Sequence, residues 1–296
     1  MAAASGPRRL SARVEGRCIS FLDAGGAGPP VVFVHGLAGS AADFSLVIDR
    51  VARAGYRALA VDLPGTGLSE RPAGRDVSIA AQARRLGTAL REAGLARPLL
   101  VGSSLGGGIG VRLALDASGA LRGLLLLDAL VFAKPLPWYF PLVAAPLLPE
   151  AVVCAMPAAR VARWVVRTAT HPAFVAEDSL VRDLASAHRG FSNRLALLAT
   201  VRALRREEKD GLARRLPELE LPVRVVWGEA DPAIPLAFGR RLAEAIRGAE
   251  LRVIERCGHL PQIEAPKRLA DEVIAFARAV GPSGGAPPHA PFMLPS

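Results

Sequence analysis

The chain has 296 residues, enough for one large α/β domain with an insertion or for two domains, and 51% of them are hydrophobic. Aromatics are only 5%, so the core that this composition supplies rests on Ala, Leu and Val. The net charge of +10 excludes an acidic solvating chain, and it does not indicate a nucleic-acid partner: three of the 37 basic residues are Lys (Lys134, Lys209, Lys267), and the Arg residues are scattered apart from pairs such as Arg84-Arg85 and Arg205-Arg206, whereas a phosphate-binding face is concentrated on one element.

The opening MAAASGPRRL has no apolar run long enough for a signal peptide. Val31–Val34, Ala58–Val61, Leu99–Val101, Leu124–Leu127 and Val223–Trp227 are short apolar runs without polar alternation. They predict strands of a parallel sheet covered on both faces. Between them, Ser78 to Ala93 has Ile79, Ala83, Leu86 and Leu90 at helical spacing, with Gly94 as a stop signal. Leu105 to Ala117 and Pro235 to Arg247 have the same character. Alternating strand and helix predicts right-handed crossovers and a doubly wound, mostly parallel sheet.

That rhythm breaks over 129–222, where no convincing strand occurs and Pro135, Pro137, Pro141, Pro146, Pro149, Pro157 and Pro172 punctuate a helical pattern. A structureless loop of that length is improbable in a compact domain, so the segment is expected to be an inserted helical cap. Residues 1–128 and 223–280 then form the core, and the Pro/Gly-rich stretch 281–296 reads as a disordered tail. The most apolar stretch, Pro141 to Val166, is cut by prolines, Glu150 and Arg, and does not supply the ~20 uninterrupted apolar residues of a membrane span. Cys18, Cys154 and Cys257 are isolated, so neither a zinc site nor a disulfide framework is expected, and a reducing cytoplasm is the simplest compartment.

Chemistry concentrates where the predicted strand Leu99–Val101 meets the predicted helix from Leu105. The junction reads Gly102-Ser103-Ser104-Leu105-Gly106, a G-x-S-x-G pattern centred on Ser104. A sharp strand-to-helix turn exposes such a serine above the sheet, and the following helix N-terminus offers its N–H groups to a developing oxyanion. No GK[ST] follows, which removes a phosphate-loop reading. Upstream, the first strand ends in His35-Gly36-Leu37-Ala38-Gly39-Ser40. Backbone N–H groups of Leu37 and Leu105 are the candidate oxyanion donors, and the His35 side chain is expected to order its loop.

With D-x-P-G-x-G-x-S after the next strand (Asp62, Pro64, Gly65, Gly67, Ser69), these motifs occur in the order found in the α/β-hydrolases, and from about Pro30 to Val280 the chain resembles that family. The resemblance implies an acid and then a histidine after the serine. The family's W-G-x-x-D pattern falls on Trp227, Gly228 and Asp231, with Glu229 and Asp128 as competing carboxylates. The family's catalytic histidine falls on His259, in Cys257-Gly258-His259-Leu260-Pro261, rather than on His35, His171, His188 or His289. It further implies a Ser104–His259–Asp231 triad cleaving an ester or thioester through an acyl-enzyme, with no cofactor and no metal. Relatives that open epoxides or carbon–halogen bonds have Asp where this chain has Ser104.

A carbon–carbon bond hydrolase, an acyltransferase, a cofactor-free haloperoxidase and a non-catalytic ligand-binding protein remain open. The carbon–carbon hydrolases tend to carry a Gly-Pro-rich loop after His-Gly, unlike Leu37-Ala38-Gly39-Ser40 here. Trp138, Tyr139, Phe140 and Trp164 are the aromatic residues expected to wall an apolar pocket for a small-molecule substrate.

Overall fold

The computed structural model describes residues 7–74, 76–132, 156–186, 190–206 and 209–282. Its strands are β1 (Arg8–Val14), β2 (Arg17–Asp23), β3 (Pro30–Val34), β4 (Arg57–Val61), β5 (Leu99–Ser103), β6 (Gly123–Leu127), β7 (Val223–Gly228) and β8 (Glu250–Ile254). They form one sheet in the order β1-β2-β4-β3-β5-β6-β7-β8. From β4 to β8 every neighbouring pair is parallel; β1 and β2 pair antiparallel with each other, and β2 with β4. The described helices are α1 (Ser45–Arg53), α2 (Ile79–Glu92), α3 (Leu105–Asp116), α4 (Ala158–Ala169), α5 (Asp178–Ser186), α6 (Phe191–Arg206), α7 (Lys209–Arg214), α8 (Leu236–Ala245), α9 (Pro261–Glu264) and α10 (Pro266–Val280). None of them is long and apolar enough to cross a membrane.

The continuous apolar strands follow from this layering. Successive side chains of a strand point to opposite faces. In β3, β5 and β6, Val32, Val34, Leu100, Leu124 and Leu126 pack with Leu86, Leu90 and Ile109 of α2 and α3. Their neighbours Val31, Phe33, Leu99, Val101, Leu125 and Leu127 pack on the other side with Val47, Ile48 and Val51 of α1 and Leu269, Val273 and Phe276 of α10. The edge strands differ. β8 leaves Glu250, Arg252 and Val253 exposed, and β1 carries Arg8, Arg9 and Arg13, charges that discourage pairing with a further strand.

The chain leaving β6 remains in the core through Ala129, Leu130, Val131 and Phe132, all buried. Phe132 lies 6.2 Å from the Phe238 ring, and the Arg241 guanidinium stacks 4.1 Å from the centre of the Phe132 ring. The described part of 129–222 is then helical: α4 to α7 and the short 3-10 turn Leu216–Glu218 precede β7. Trp138, Tyr139 and Phe140 lie outside the described residues, as does 283–296.

Candidate active site

Strand β5 is buried throughout and α3 begins at Leu105, so a single residue turns the chain from strand to helix. Ser104 absorbs that turn with φ 49° and ψ −113°, a conformation that costs a non-glycine residue on the order of 1–3 kcal/mol. Backbone crowding explains the flanking glycines. A Cβ on Gly102 would lie 2.5 Å from the carbonyl oxygen of Gly106, and one on Gly106 would run into the carbonyl oxygens of Val34 and His35. The elbow is held by its own backbone: Ser104 N–H donates to the Leu127 carbonyl at 2.9 Å, and the Ser104 carbonyl accepts from Gly107 at 3.0 Å and Leu130 at 2.9 Å. The two adjacent serines differ in access. Ser103 is 1% exposed and its buried hydroxyl has no partner, whereas Ser104 is partly open. The Ser104 hydroxyl makes no hydrogen bond among the described residues.

The loop after β3 faces this elbow; a Cβ on Gly36 would come 3.0 Å from Ser104 Cβ. His35 orders the loop as expected. Its Nδ1–H donates to the Gly36 carbonyl at 2.8 Å, so Nε2 is the acceptor, taking the Leu63 N–H at 3.1 Å beside Thr66 Oγ1 at 2.9 Å. Burial holds the imidazole below its ordinary pKa, only partly offset by the Gly36 carbonyl and the charge of Asp62. The Asp62 motif is scaffolding too. Asp62 accepts from Ala41 N–H at 2.8 Å, Leu68 N–H at 3.1 Å and Arg9 Nη1 at 2.8 Å, and the Ser69 hydroxyl donates to the Asp62 carbonyl at 2.6 Å. Among the described residues, the amides of Leu37 and Leu105 donate to no acceptor.

Beyond β7, Asp231 and His259 are joined directly, Oδ2 to Nδ1 at 2.7 Å, and both are buried. Asp231 Oδ1 accepts from Ala233 N–H at 2.6 Å and Ile234 N–H at 2.8 Å, which fixes the carboxylate. With Nδ1 donating to a carboxylate, a neutral His259 carries its lone pair on Nε2. The competing carboxylates take other places: Glu229 is exposed and accepts from Arg256 N–H at 3.0 Å, and Asp128 is fully buried. Asp128, Asp231 and His259 each bring a ligand-capable atom within 4.8 Å of the others. Asp231 Oδ1 already accepts two N–H donors and Oδ2 accepts one.

The histidine loop is anchored by Glu264, a residue that motif reading passed over. Its carboxylate accepts from Gly258 N–H at 2.9 Å, Leu260 N–H at 3.1 Å and, from the segment after α4, His171 N–H at 2.7 Å. His259 N–H itself donates to the Ala169 carbonyl at 2.7 Å. No residue spacing announces bonds to backbone amides, which is why the sequence carries no signal for them. Burial, with the nearby Glu264 and Asp231 charges, pushes the Cys257 thiol far up and keeps it protonated.

A shallow cleft lies against the loop after β3 and beside Leu105, next to the elbow but lined by neither Ser104 nor His259. Leu37, Leu63, Pro64, Leu105 and Leu197 give it apolar walls, and Thr66, Gln82, Asn193 and Thr200 give it neutral polar ones. Asn193 and Thr200 stand on α6, and Asn193 Nδ2 donates to the Gly67 carbonyl at 3.1 Å. Trp164, expected in the pocket wall, is not part of this lining. It lies 47% exposed on α4, because Ala162, Val166 and Ala169 occupy that helix's buried face.

Residues 31–272 match the family model described as the alpha/beta hydrolase family. The chain belongs to that family. Among curated relatives of this hydrolase, a 2-hydroxy-6-oxononadienedioate/2-hydroxy-6-oxononatrienedioate hydrolase of Burkholderia vietnamiensis is 27% identical over 88% of this chain and 91% of its own. The solved structure of an alpha/beta hydrolase fold protein from Burkholderia ambifaria superposes with a TM-score of 0.77 at 28% identity, covering 93% of this chain and 98% of that one. A thermophilic esterase from Thermogutta terrifontis shares the fold, with a TM-score of 0.77 at 23% identity over 92% of this chain and 99% of its own.

Proposed function

We propose that this α/β-hydrolase transfers the acyl group of a small, uncharged ester or thioester to Ser104 and then to water. The observation that carries the reading is the 2.7 Å Asp231–His259 bond, which leaves Nε2 as the free base of a buried imidazole, at the same sheet end as the strained Ser104 elbow. In this mechanism His259 Nε2 takes the Ser104 proton as the hydroxyl oxygen attacks the acyl carbon. Asp231 holds the tautomer and stabilises the imidazolium. The Leu37 and Leu105 amides receive the oxyanion, each donor being worth about 2.7–4 kcal/mol in such sites. Imidazolium then protonates the leaving oxygen or sulfur, and water, deprotonated by the same histidine, releases the acid. Hydrogen bonds of this kind often form only once substrate is bound, so the free Ser104 hydroxyl is compatible with the role. Helices α4 to α6 serve as a cap over the carboxyl ends of the strands, where open α/β sheets bind ligands.

The neutral cleft supports the substrate class. Among the described residues its lining holds no Arg, Lys, Asp or Glu, in a chain with 37 basic residues. This favours an uncharged acyl group over the dicarboxylate that the Burkholderia vietnamiensis relative is named for. On p-nitrophenyl esters, kcat/KM is expected to rise from acetate to medium chains, by up to about fourfold for each methylene buried at ~0.8 kcal/mol. The carbon–carbon reading predicts the reverse preference. Faster bleaching of a 2-hydroxy-6-oxo-dienedioate than ester cleavage would replace the ester proposal with that one.

A further inference from the structure

Asp128 stands one residue past β6 on a positive φ of 45°, fully buried, beside a site whose mechanism does not use it. Its N–H donates to the Val226 carbonyl at 3.1 Å, and its Oδ1 accepts the Gly228 N–H at 2.9 Å. Its Oδ2 is buried with no hydrogen-bond partner among the described residues. The group that shares this space is the Asp231 carboxylate, within the same 4.8 Å cluster as His259. Two carboxylates this close repel and cannot hydrogen-bond, whereas a carboxylic acid and a carboxylate can.

We infer that Asp128 is a positioning residue: as a neutral carboxylic acid it donates from Oδ2 to the Asp231 carboxylate and so fixes the group that orients His259. This rests on the triad reading above. Donors decide which of the two aspartates holds the proton. Asp231 accepts N–H groups from Ala233, Ile234 and His259, while Asp128 accepts one from Gly228, so the charge is better solvated on Asp231. Burial, then the Asp231 charge, raise the Asp128 carboxyl well above the usual carboxylate range, opposed by the Gly228 N–H and reinforced by Glu264. The imidazole therefore faces one buried negative charge, held on Asp231, and the orphaned Oδ2 acquires a partner. Asp128 is thereby a support for the orienting acid, not an alternative to it.

Infrared difference spectroscopy of wild type minus Asp128→Asn at neutral pH reads the proton directly and needs no turnover, so its outcome is independent of whether the substrate proposal holds. The expected difference is a carboxylic-acid carbonyl band present in wild type and lost in the variant. The Asp43→Asn protein supplies a second reading that leaves Asp128 intact: the acid band persists in it. Kinetics on p-nitrophenyl esters test the positioning role. Asp128→Leu is expected to lower kcat about tenfold with KM unmoved, through a misplaced histidine, and Asp128→Asn, which retains a neutral donor, recovers most of that loss. A wild type minus Asp128→Asn difference with no acid band, or an Asp128→Asn kcat as low as that of Asp128→Leu, overturns the inference.

Discussion

Positive φ falls on Ala38, Ser104, Asp128 and Arg256, four non-glycine residues at the carboxyl end of the sheet. Backbone strain of this kind persists only where surrounding structure over-determines it. Here the hydrogen bonds of the elbow and the loop after β3 do so. Asp43 extends the same neighbourhood. Burial raises its carboxyl to about 7, opposed by the neighbouring Ser40 and reinforced by the charge of Asp62. A carboxyl raised in the fold binds its proton more tightly than in the unfolded chain. Its stabilising contribution is thus complete below the unfolded pKa, near 3.8, and is lost as pH rises through about 7. Asp43→Asn removes that loss. Thermal melts at about pH 5 and about pH 8 should show the Tm of the variant gaining on wild type at the higher pH; an equal difference at both would mean that Asp43 ionises normally. Residue types at this scale were legible where spacing encodes them, as in Gly102-x-Ser104-x-Gly106 and His259. The protonation of Asp43 and Asp128 was not, because it depends on burial and on neighbours distant in sequence.

Among elements, the strands buried on both faces were the readable ones. β3 and β6 are uninterrupted apolar runs, β5 opens on one and β7 is broken only by Arg224, and Ser78 caps α2 by accepting the Ala81 N–H at 3.2 Å. The β1–β2 hairpin went unread because its arginines mask the alternation. The signal was present in Glu15-Gly16: both residues have positive φ, and Val14 pairs with Arg17 across a two-residue turn. α9 is a single turn whose importance lies in Glu264. One carboxylate holds Gly258 and Leu260, on either side of His259, and His171 beyond α4. Glu264→Ala orphans three amides at about 1–3 kcal/mol for each that stays buried. Hydrogen exchange should then accelerate together in 169–173 and 257–260, with a fall in Tm. Faster exchange in 257–260 alone would show that Glu264 does not join the two segments.

At the scale of the molecule, the sheet gathers the loops after β3, β5, β7 and β8 at one edge, and that arrangement turns four distant sequence motifs into one site. The order of the motifs was legible because each follows a strand. The pocket lining was not. Trp164 obeys helical periodicity and faces outward, and the cleft draws Asn193 and Thr200 from α6, whose approach to the sheet no local pattern encodes. The central claim is that Ser104 is the activated nucleophile. It is tested most directly by the mass of the protein after exposure to a fluorophosphonate, which captures activated serines without requiring the right substrate. One phosphonyl adduct is expected in wild type and in Ser103→Ala, none in Ser104→Ala, and a much slower adduct in His259→Ala. An unlabelled wild type, or an adduct that survives Ser104→Ala, would contradict the account.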